Sequence, residues 1–326
     1  MNNESAPEQK SPLPKLIAIV GPTASGKSHL AIELATRLNG EVISADSVQV
    51  YRHFDIGSGK ASKEEQARCP HHLLDIVEPT ERFEAAQFAE RARDIIADLH
   101  QKEKVAIICG GTFLWVRALL YGLAPAPAGD PQIRKQHQEF ADKHGRAALH
   151  EKLALVDQKS AERLHPNDLM RVSRALEVYE LTQKTLSSLQ AQHGFQTPRY
   201  ESITLQVAWE REAYEKRLRA RITQMLTDGW KDEVEALLAA GYRMSRAMQA
   251  VGYKQMLQYI DGEITEAAVL ESIVRVTRIF ARRQRTWLRD QHLEEFPAID
   301  LQNTEKLDSF AEKLDLWLKH SAPQSP

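Results

Sequence analysis

Short apolar runs and longer amphipathic stretches alternate through the first third of the chain. Leu16-Ile17-Ala18-Ile19-Val20 is rich in branched residues and predicts a buried strand. Leu30, Ile32, Leu34, Ala35 and Leu38 then recur at helical spacing, and Asn39-Gly40 is the expected stop. Glu41-Val42-Ile43-Ser44-Ala45-Asp46 predicts a second strand that ends in a carboxylate. Glu84 to Lys102 places Phe88, Ala92, Ile95, Ile96 and Leu99 on one helical face, and Val105-Ala106-Ile107-Ile108-Cys109 predicts a third strand. That strand runs into Gly110-Gly111-Thr112 and a further helix. The rhythm breaks at Ala124-Pro125-Ala126-Pro127-Ala128-Gly129-Asp130-Pro131, after which Gln132 to Gln192 is charged and helical with no clear strand. Ser202 to Trp209 predicts a strand again. The rest reads as helix, with Tyr214 to Ala240 stopping at Gly241 and a long element over Ala267 to Arg289.

Strands alternating with helices predict an α/β fold with a parallel sheet. The expected core comprises 15–130 and 202–318, interrupted by an all-helical insertion at 131–201, with polar tails at 1–14 and 319–326.

The turn between the first strand and its helix carries the first chemistry. Gly21-Pro22-Thr23-Ala24-Ser25-Gly26-Lys27-Ser28 fits G-x-x-x-x-G-K-[ST], the phosphate-cradling P-loop. The glycines let several backbone N–H groups converge on phosphate oxygens, Lys27 adds a point charge, and the Ser28 hydroxyl suits Mg²⁺. The following helix points its positive end at the same anion. Strand, glycine loop and helix in that order is the context the motif requires, and it makes the core P-loop NTPase-like. Ligands of open α/β sheets collect at the carboxyl ends of strands, so Asp46 and Thr112 are expected near this loop.

Composition narrows the partners. The chain has 326 residues and a formal net charge of −2, so a nucleic-acid footprint has to be local. Two separated cysteines, Cys69 and Cys109, provide neither a disulfide framework nor a zinc site and fit a reducing cytoplasm. No apolar run is long enough to span a membrane. Arg275, Arg278, Arg282, Arg285 and Arg289 share one face of the last long helix, with Arg283 beside them, and suit phosphate contact. Ile273, Val276, Ile279, Phe280 and Trp287 of that helix are expected to bury. Arg217, Arg219 and Arg221 form a second cluster, which Glu212 and Glu215 can pair.

A P-loop with an acid at the next strand end fits two reactions. In a kinase the acid takes a proton from an acceptor hydroxyl and the γ-phosphate moves. In an alkyl transferase the loop holds a departing diphosphate and the acid serves a nucleophile attacking carbon. Asp46 also fits a magnesium ligand or a cap.

The residues beyond Asp46 favour the second reaction. Asp46-Ser47-x-Gln49-x-Tyr51 followed by Asp55-Ile56-Gly57-Ser58-Gly59-Lys60 resembles the tRNA dimethylallyltransferase (tRNA isopentenyltransferase) family. His71 to Ile76, Gly110-Gly111-Thr112, His165 to Asp168 with Arg171 and Ser173 to Val178, Gly252 to Gln255, and Thr277 to Arg289 extend the resemblance in order from Leu16 to Arg289. Ser58-Gly59 stands where Thr-Ala is common, and Phe113 and Trp115 stand where Gly and Tyr often do. The cysteine count is too low for the zinc finger that eukaryotic members often append, so the chain looks like a bacterial member. An adenylate isopentenyltransferase acting on free nucleotide needs neither the insertion nor the C-terminal Arg/Trp block.

The resemblance implies transfer of a dimethylallyl group from dimethylallyl diphosphate to N6 of adenosine 37 in a tRNA anticodon stem-loop, with Mg²⁺ as cofactor. It implies Asp46, Thr112 and Lys27 as catalytic residues and Gly21 to Ser28 as the diphosphate cradle. The tRNA contacts it implies are Asp46, Ser47, Val48, Gln49, Thr112, Arg134, Met170, Arg171, Val172, Ser173, Arg174, Gln249, Ala250, Val251, Gly252, Tyr253 and Lys254. The chain is expected to act as a monomer in the cytoplasm, without a membrane partner.

Overall fold

The computed structural model describes residues 12–289 and 293–320. The expected tails therefore fall largely outside the described residues. The chain divides into two compact units. One comprises the chain up to Leu120 together with the chain from Arg199 onward, and the other is Tyr121–Pro198.

The first unit is built on a parallel sheet. Its strands are β1 (Lys15–Val20), β2 (Gly40–Ser44), β3 (His71–His72), β4 (Val105–Gly110), β5 (Glu201–Ala208) and β6 (Glu294–Pro297). Among the described residues they lie in the order β3-β2-β4-β1-β5-β6, each pairing parallel to its neighbour. The central strands β1, β2 and β4 are almost wholly buried, as apolar runs covered on both faces must be. Register brings Val20 beside Gly110 and Ser44 beside Cys109, so the carboxyl tips of β1, β4 and β2 stand side by side. The two ends of the intervening unit leave from one point, where the Arg199 amide donates to the Leu120 carbonyl at 2.8 Å.

Two strands escape the hydrophobic pattern. β3 is two residues long, and β6 buries only Phe296 of its four side chains. The helix expected over Tyr214 to Ala240 is two helices, Arg211–Thr227 and Trp230–Ala239. Gly229 between them has φ +97°, a left-handed conformation that ends one helix and starts the next. The last long helix, Glu266–Leu288, buries Val269, Ile273, Val274, Thr277, Ala281, Gln284 and Leu288, whereas Ile279 and Phe280 are exposed. Its buried face therefore includes a glutamine and excludes two of the apolar residues expected there.

The second unit is helical, with helices at Pro131–His144, Arg146–Val156, Gln158–Arg163, Leu169–Thr182 and Leu186–His193. Its own core is formed by Ala141, Leu149, Leu153, Ala161, Val172, Ala175 and Leu176. The Pro-rich stretch Ala124–Pro131 lies inside this unit. It is pinned there by Arg174, which donates to the Pro127 carbonyl at 2.6 Å, and by the Asp130 amide, which donates to Glu177 at 2.6 Å. Among the described residues no helix is long and apolar enough to cross a membrane.

Candidate active site

The P-loop occupies the tip of β1. Ala24 (φ +63°) and Gly26 (φ +89°) adopt left-handed conformations in which the chain reverses before the helix Lys27–Arg37. Gly26 caps that helix without a side-chain hydrogen bond. The first-turn N–H groups, which have no partner within the helix, are thereby left for an anion.

If the amides of such a loop face inward, its carbonyls must face outward and need donors. Three side chains from beyond the insertion supply them. Tyr214 Oη donates to the Thr23 carbonyl at 2.8 Å, Arg217 Nε to Ala24 at 2.9 Å, and Trp209 Nε1 to Ser25 at 2.7 Å. The Thr23 amide itself donates to Gln284 Oε1 at 3.0 Å, and Gln284 Nε2 donates to the Gly111 carbonyl at 3.0 Å.

In front of the loop lies a cavity of about 610 Å³ lined by Lys27, Ser28, Lys60, Glu65, Arg217 and Arg221, among others. Burial pushes the Lys27 ammonium below its usual range, with Asp46 counteracting and Arg221 adding to the depression. Burial, and next the neighbouring Arg217, likewise lower Arg221. Three cations are thus gathered where each destabilises the next, and a polyanion relieves that repulsion. Arg217 and Arg221 lie four residues apart on the helix face that carries Tyr214. Arg219 points elsewhere and pairs with Glu271 at 2.5 Å. Glu215, expected to serve the second arginine cluster, instead pairs with Arg278 of the stripe. Arg285 packs over the Tyr214 ring at 4.3 Å. The arginines that line this cavity therefore belong to the second cluster and not to the stripe.

Asp46 follows β2 by two residues and lines, with Lys27, Ser28, Gln49, Cys109 and Gly110, a small pocket of about 20 Å³. Its Oδ1 accepts the amides of Val48 at 2.9 Å and Gln49 at 3.3 Å, which fixes the carboxylate on its own turn. Thr112, at the tip of β4, accepts the Ser47 amide at 3.0 Å through its hydroxyl. Close approach of the two tips depends on Gly110, because a Cβ there would meet the Ala45 carbonyl oxygen at 2.1 Å. Adjacent strands lie about 4.8 Å apart, so Asp46 and the loop stand roughly 10 Å from each other across β4.

The far wall of the cavity is held just as firmly. The Glu233 carboxylate accepts the amides of Asp55 at 2.9 Å, Ile56 at 2.6 Å and Gly57 at 3.1 Å, and the Tyr253 hydroxyl at 2.7 Å. Gln49, expected to contact tRNA, has its side chain engaged with Ser44 Oγ at 2.9 Å and with the carbonyls of Ser58 and Gly59 at 3.2 and 3.1 Å.

Several of the expected tRNA contacts lie elsewhere. Gln249, Ala250, Val251 and Lys254 flank a buried pair, Gly252 and Tyr253, and Gln249, Val251 and Lys254 are exposed. Arg134, Met170, Arg171, Val172, Ser173 and Arg174 belong to the second unit. Met170 is 79% exposed, and Arg171 pairs with Asp168 at 2.7 Å. Arg134 and Arg174 flank the buried Glu177, Arg134 donating from Nε at 2.8 Å and Nη2 at 3.0 Å. Val172, Ser173 and Tyr253 have buried side chains.

Trp209, Tyr214, Glu233 and Gln284 were not expected at the site from the sequence, and Arg217 and Arg221 were expected there only as members of a cluster that acids can pair. The recurrence of Tyr214, Arg217, Arg221, Gln224 and Asp228 at three- and four-residue steps was the available signal for the arginines.

The family model described as IPP transferase matches residues 49–291. A tRNA dimethylallyltransferase of Sorangium cellulosum is 52% identical over 277 residues, covering 85% of this chain and 88% of that protein. One from Geobacter sulfurreducens is 45% identical, covering 84% and 89%. The crystal structure of the full-length tRNA isopentenylpyrophosphate transferase from Bacillus halodurans superposes with a TM-score of 0.69 at 36% identity, covering 94% of this chain and 97% of its own. A eukaryotic dimethylallyltransferase acting on tRNA gives a TM-score of 0.80 at 25% identity, covering 96% and 81%.

Proposed function

This chain belongs to the IPP transferase family, and from that membership we propose that its P-loop holds the diphosphate of dimethylallyl diphosphate while Asp46 serves an adenine amine of tRNA. The protein is a tRNA prenyltransferase. The acceptor is N6 of adenosine 37 in the anticodon loop, and the enzyme acts as a monomer.

The observation that carries this reading is the alignment of the phosphate loop, Thr112 and Asp46 on three adjacent strand tips, with the loop's carbonyls held outward. An exocyclic adenine amine is a weak nucleophile because its lone pair is delocalised into the ring. As N6 attacks C1 of the donor, the N–C bond forms and the C1–O bond breaks. One N6 proton passes to Asp46, whose Oδ1 is anchored by Val48 and Gln49 and whose Oδ2 accepts it. The diphosphate leaves into the field of Lys27, Arg217, Arg221 and the first-turn amides of the helix. General-base help of this kind contributes about 10²–10⁴ in rate. Departure from an allylic carbon develops cationic character, so stabilising the leaving group matters most.

The donor set suits Mg²⁺ arriving with the diphosphate. Ser28 offers a hydroxyl in both pockets, and among the described residues no cluster of three His, Cys, Asp or Glu would hold a metal by itself. Ser28 would hold such an ion beside the substrate phosphates, where it would supply charge neutralisation for the departing group.

The target base must leave its stack to reach the buried carbon, which is easier in a single-stranded loop than in a duplex. The exposed arginines of the last long helix and the exposed residues of Gln249–Lys254 support an RNA-facing role for these segments. The test is nucleoside analysis of unmodified tRNA after incubation with enzyme, Mg²⁺ and dimethylallyl diphosphate. A prenylated adenosine is expected, whereas labelled phosphate passing from ATP to an acceptor, with no prenylated product, would make the protein a kinase.

A further inference from the structure

The Gln284 side chain is buried on the last long helix, three residues before Trp287 and away from the arginine stripe. Its two polar atoms serve two different loops. Oε1 accepts the Thr23 amide of the phosphate loop, and Nε2 donates to the Gly111 carbonyl at the tip of β4, each at 3.0 Å. The fit around Nε2 is tight, because a Cβ on Gly111 would sit 2.5 Å from it. One turn further, Trp287 stacks on Phe113 with ring centroids 4.5 Å apart and planes within 8°. The same helix therefore grips the β4 tip on both sides of Thr112 and reaches the phosphate loop through a single amide.

The two loops it joins carry the two halves of the reaction. Thr23 lies in the cradle that holds the leaving group. Gly111 precedes Thr112, whose hydroxyl holds the turn bearing Asp46. Building on the prenyl-transfer reading above, we propose that Gln284 is a positioning residue that sets the separation between the diphosphate cradle and the base that serves the acceptor amine. An amide is suited to this because it is donor and acceptor at once, in a fixed plane. Either function alone would tie only one loop.

A residue that sets this separation affects the chemical step more than it affects donor binding. Gln284→Met keeps the volume and removes both hydrogen bonds. Its kcat is expected to fall about 30- to 100-fold, the scale of a misplacement near 1 Å, while KM for the donor and inhibition by pyrophosphate change by less than about threefold. Gln284→Glu keeps the acceptor for Thr23 but sets a carboxylate oxygen against the Gly111 carbonyl. Only the protonated acid restores the donor, so activity of this variant should recover toward low pH where the wild type shows no such limb. A Gln284→Met enzyme with kcat within about threefold of wild type overturns the proposal. So does a kcat loss matched by equal weakening of pyrophosphate inhibition with no acid recovery in Gln284→Glu.

Amide hydrogen exchange tests the same assignment without turnover. Peptides covering Thr23 and Thr112 should exchange faster together in Gln284→Met while Leu30 to Arg37 keeps its protection, and unchanged exchange at both loops overturns it. Absence of prenyl transfer by the wild-type enzyme would instead sink the reading of the site, which this exchange measurement does not depend on.

Discussion

The Thr112 hydroxyl accepts the Ser47 amide at 3.0 Å, so the side chain at one strand tip completes the turn that follows its neighbour. The Thr112 amide answers by donating to the Ala45 carbonyl at 3.2 Å. These two bonds join β4 to β2 beyond the last sheet pair and hold Asp46 between them. Thr112→Val keeps the shape and removes the acceptor of the Ser47 amide, at a cost of about 0.5–1.5 kcal/mol. Turnover should fall about 10²-fold, on the scale of removing one transition-state contact, and Thr112→Ser should restore most of it. Single-turnover rates with saturating tRNA and donor measure this. Equal rates in all three enzymes would show that the hydroxyl neither positions Asp46 nor touches the reacting centre.

Asp46→Asn preserves the acceptor oxygen for the Val48 and Gln49 amides, so the turn should survive. What it removes is the ability to take a proton from N6. The expected result is tRNA affinity within about twofold of wild type with turnover lower by about 10²–10⁴. Affinity is read by filter binding without donor and turnover by diphosphate release. Near-normal turnover would move the base role to another residue.

How much of this was legible depends on the distance over which each feature is encoded. The strand, loop and helix from Leu16 to Leu38, and the strand ends at Asp46 and Thr112, are local patterns, and the structure places them on adjacent tips. The donors to the loop's carbonyls are Trp209, Tyr214 and Arg217, separated from it by more than half the chain, and no local rule announces that a Tyr or Trp will face a glycine loop. Gln284 hides for another reason. Helical periodicity assigns a polar residue beside arginines to solvent, yet the buried face here needed an amide for two backbone groups. In the arginine stripe, helical spacing does not show that Arg278 pairs with Glu215, because that acid lies on another helix. The break at Gly229 was written in the Asp228-Gly229 pair, a turn signal that the surrounding helical pattern outweighed.

In the second unit, stability should hinge on Glu177. Its side chain is fully buried between Arg134 and Arg174 and also accepts the Asp130 amide at 2.6 Å. Burial alone would push this carboxyl up, but the hydrogen bonds from Arg134, Arg174 and Asp130 outweigh it and hold it below its ordinary 4.5. A carboxyl depressed on folding contributes stability that is present above the unfolded value and lost as pH falls through the folded one. The helices Pro131–His144 and Leu169–Thr182 should therefore loosen as pH drops below 4.5. Glu177→Gln removes the charge and leaves two partly exposed guanidinium groups facing an amide, for a loss of about 1.5–3 kcal/mol at neutral pH. Hydrogen exchange of these helices from pH 3.5 to 7 reads both effects. If the variant keeps wild-type protection at pH 7, the carboxylate is not what ties the Pro127–Asp130 segment to the helices of this unit.

Cys109 gives a prediction at the opposite end of the pH scale. Its thiol is buried at the tip of β4, beside Lys27 and Ser28, and burial pushes it up from 9.0 to about 11. The folded protein then holds this proton over a range in which the unfolded chain has released it. Stability from the thiol is fully present below pH 9.0 and is lost as pH rises toward 11. That gap corresponds to at most about 3 kcal/mol. Lys27, lowered from 10.5 by burial, works the other way, gaining stability as pH rises toward its unfolded value. Comparing wild type with Cys109→Ser separates the two, because the serine keeps the space and does not titrate while Lys27 remains. Urea midpoints should fall more steeply between pH 8.5 and 10.5 in the wild type than in Cys109→Ser, with the difference appearing only on the alkaline side. Parallel curves would mean that the thiol ionises as easily in the fold as out of it, and that the β4 tip admits water beside the phosphate loop.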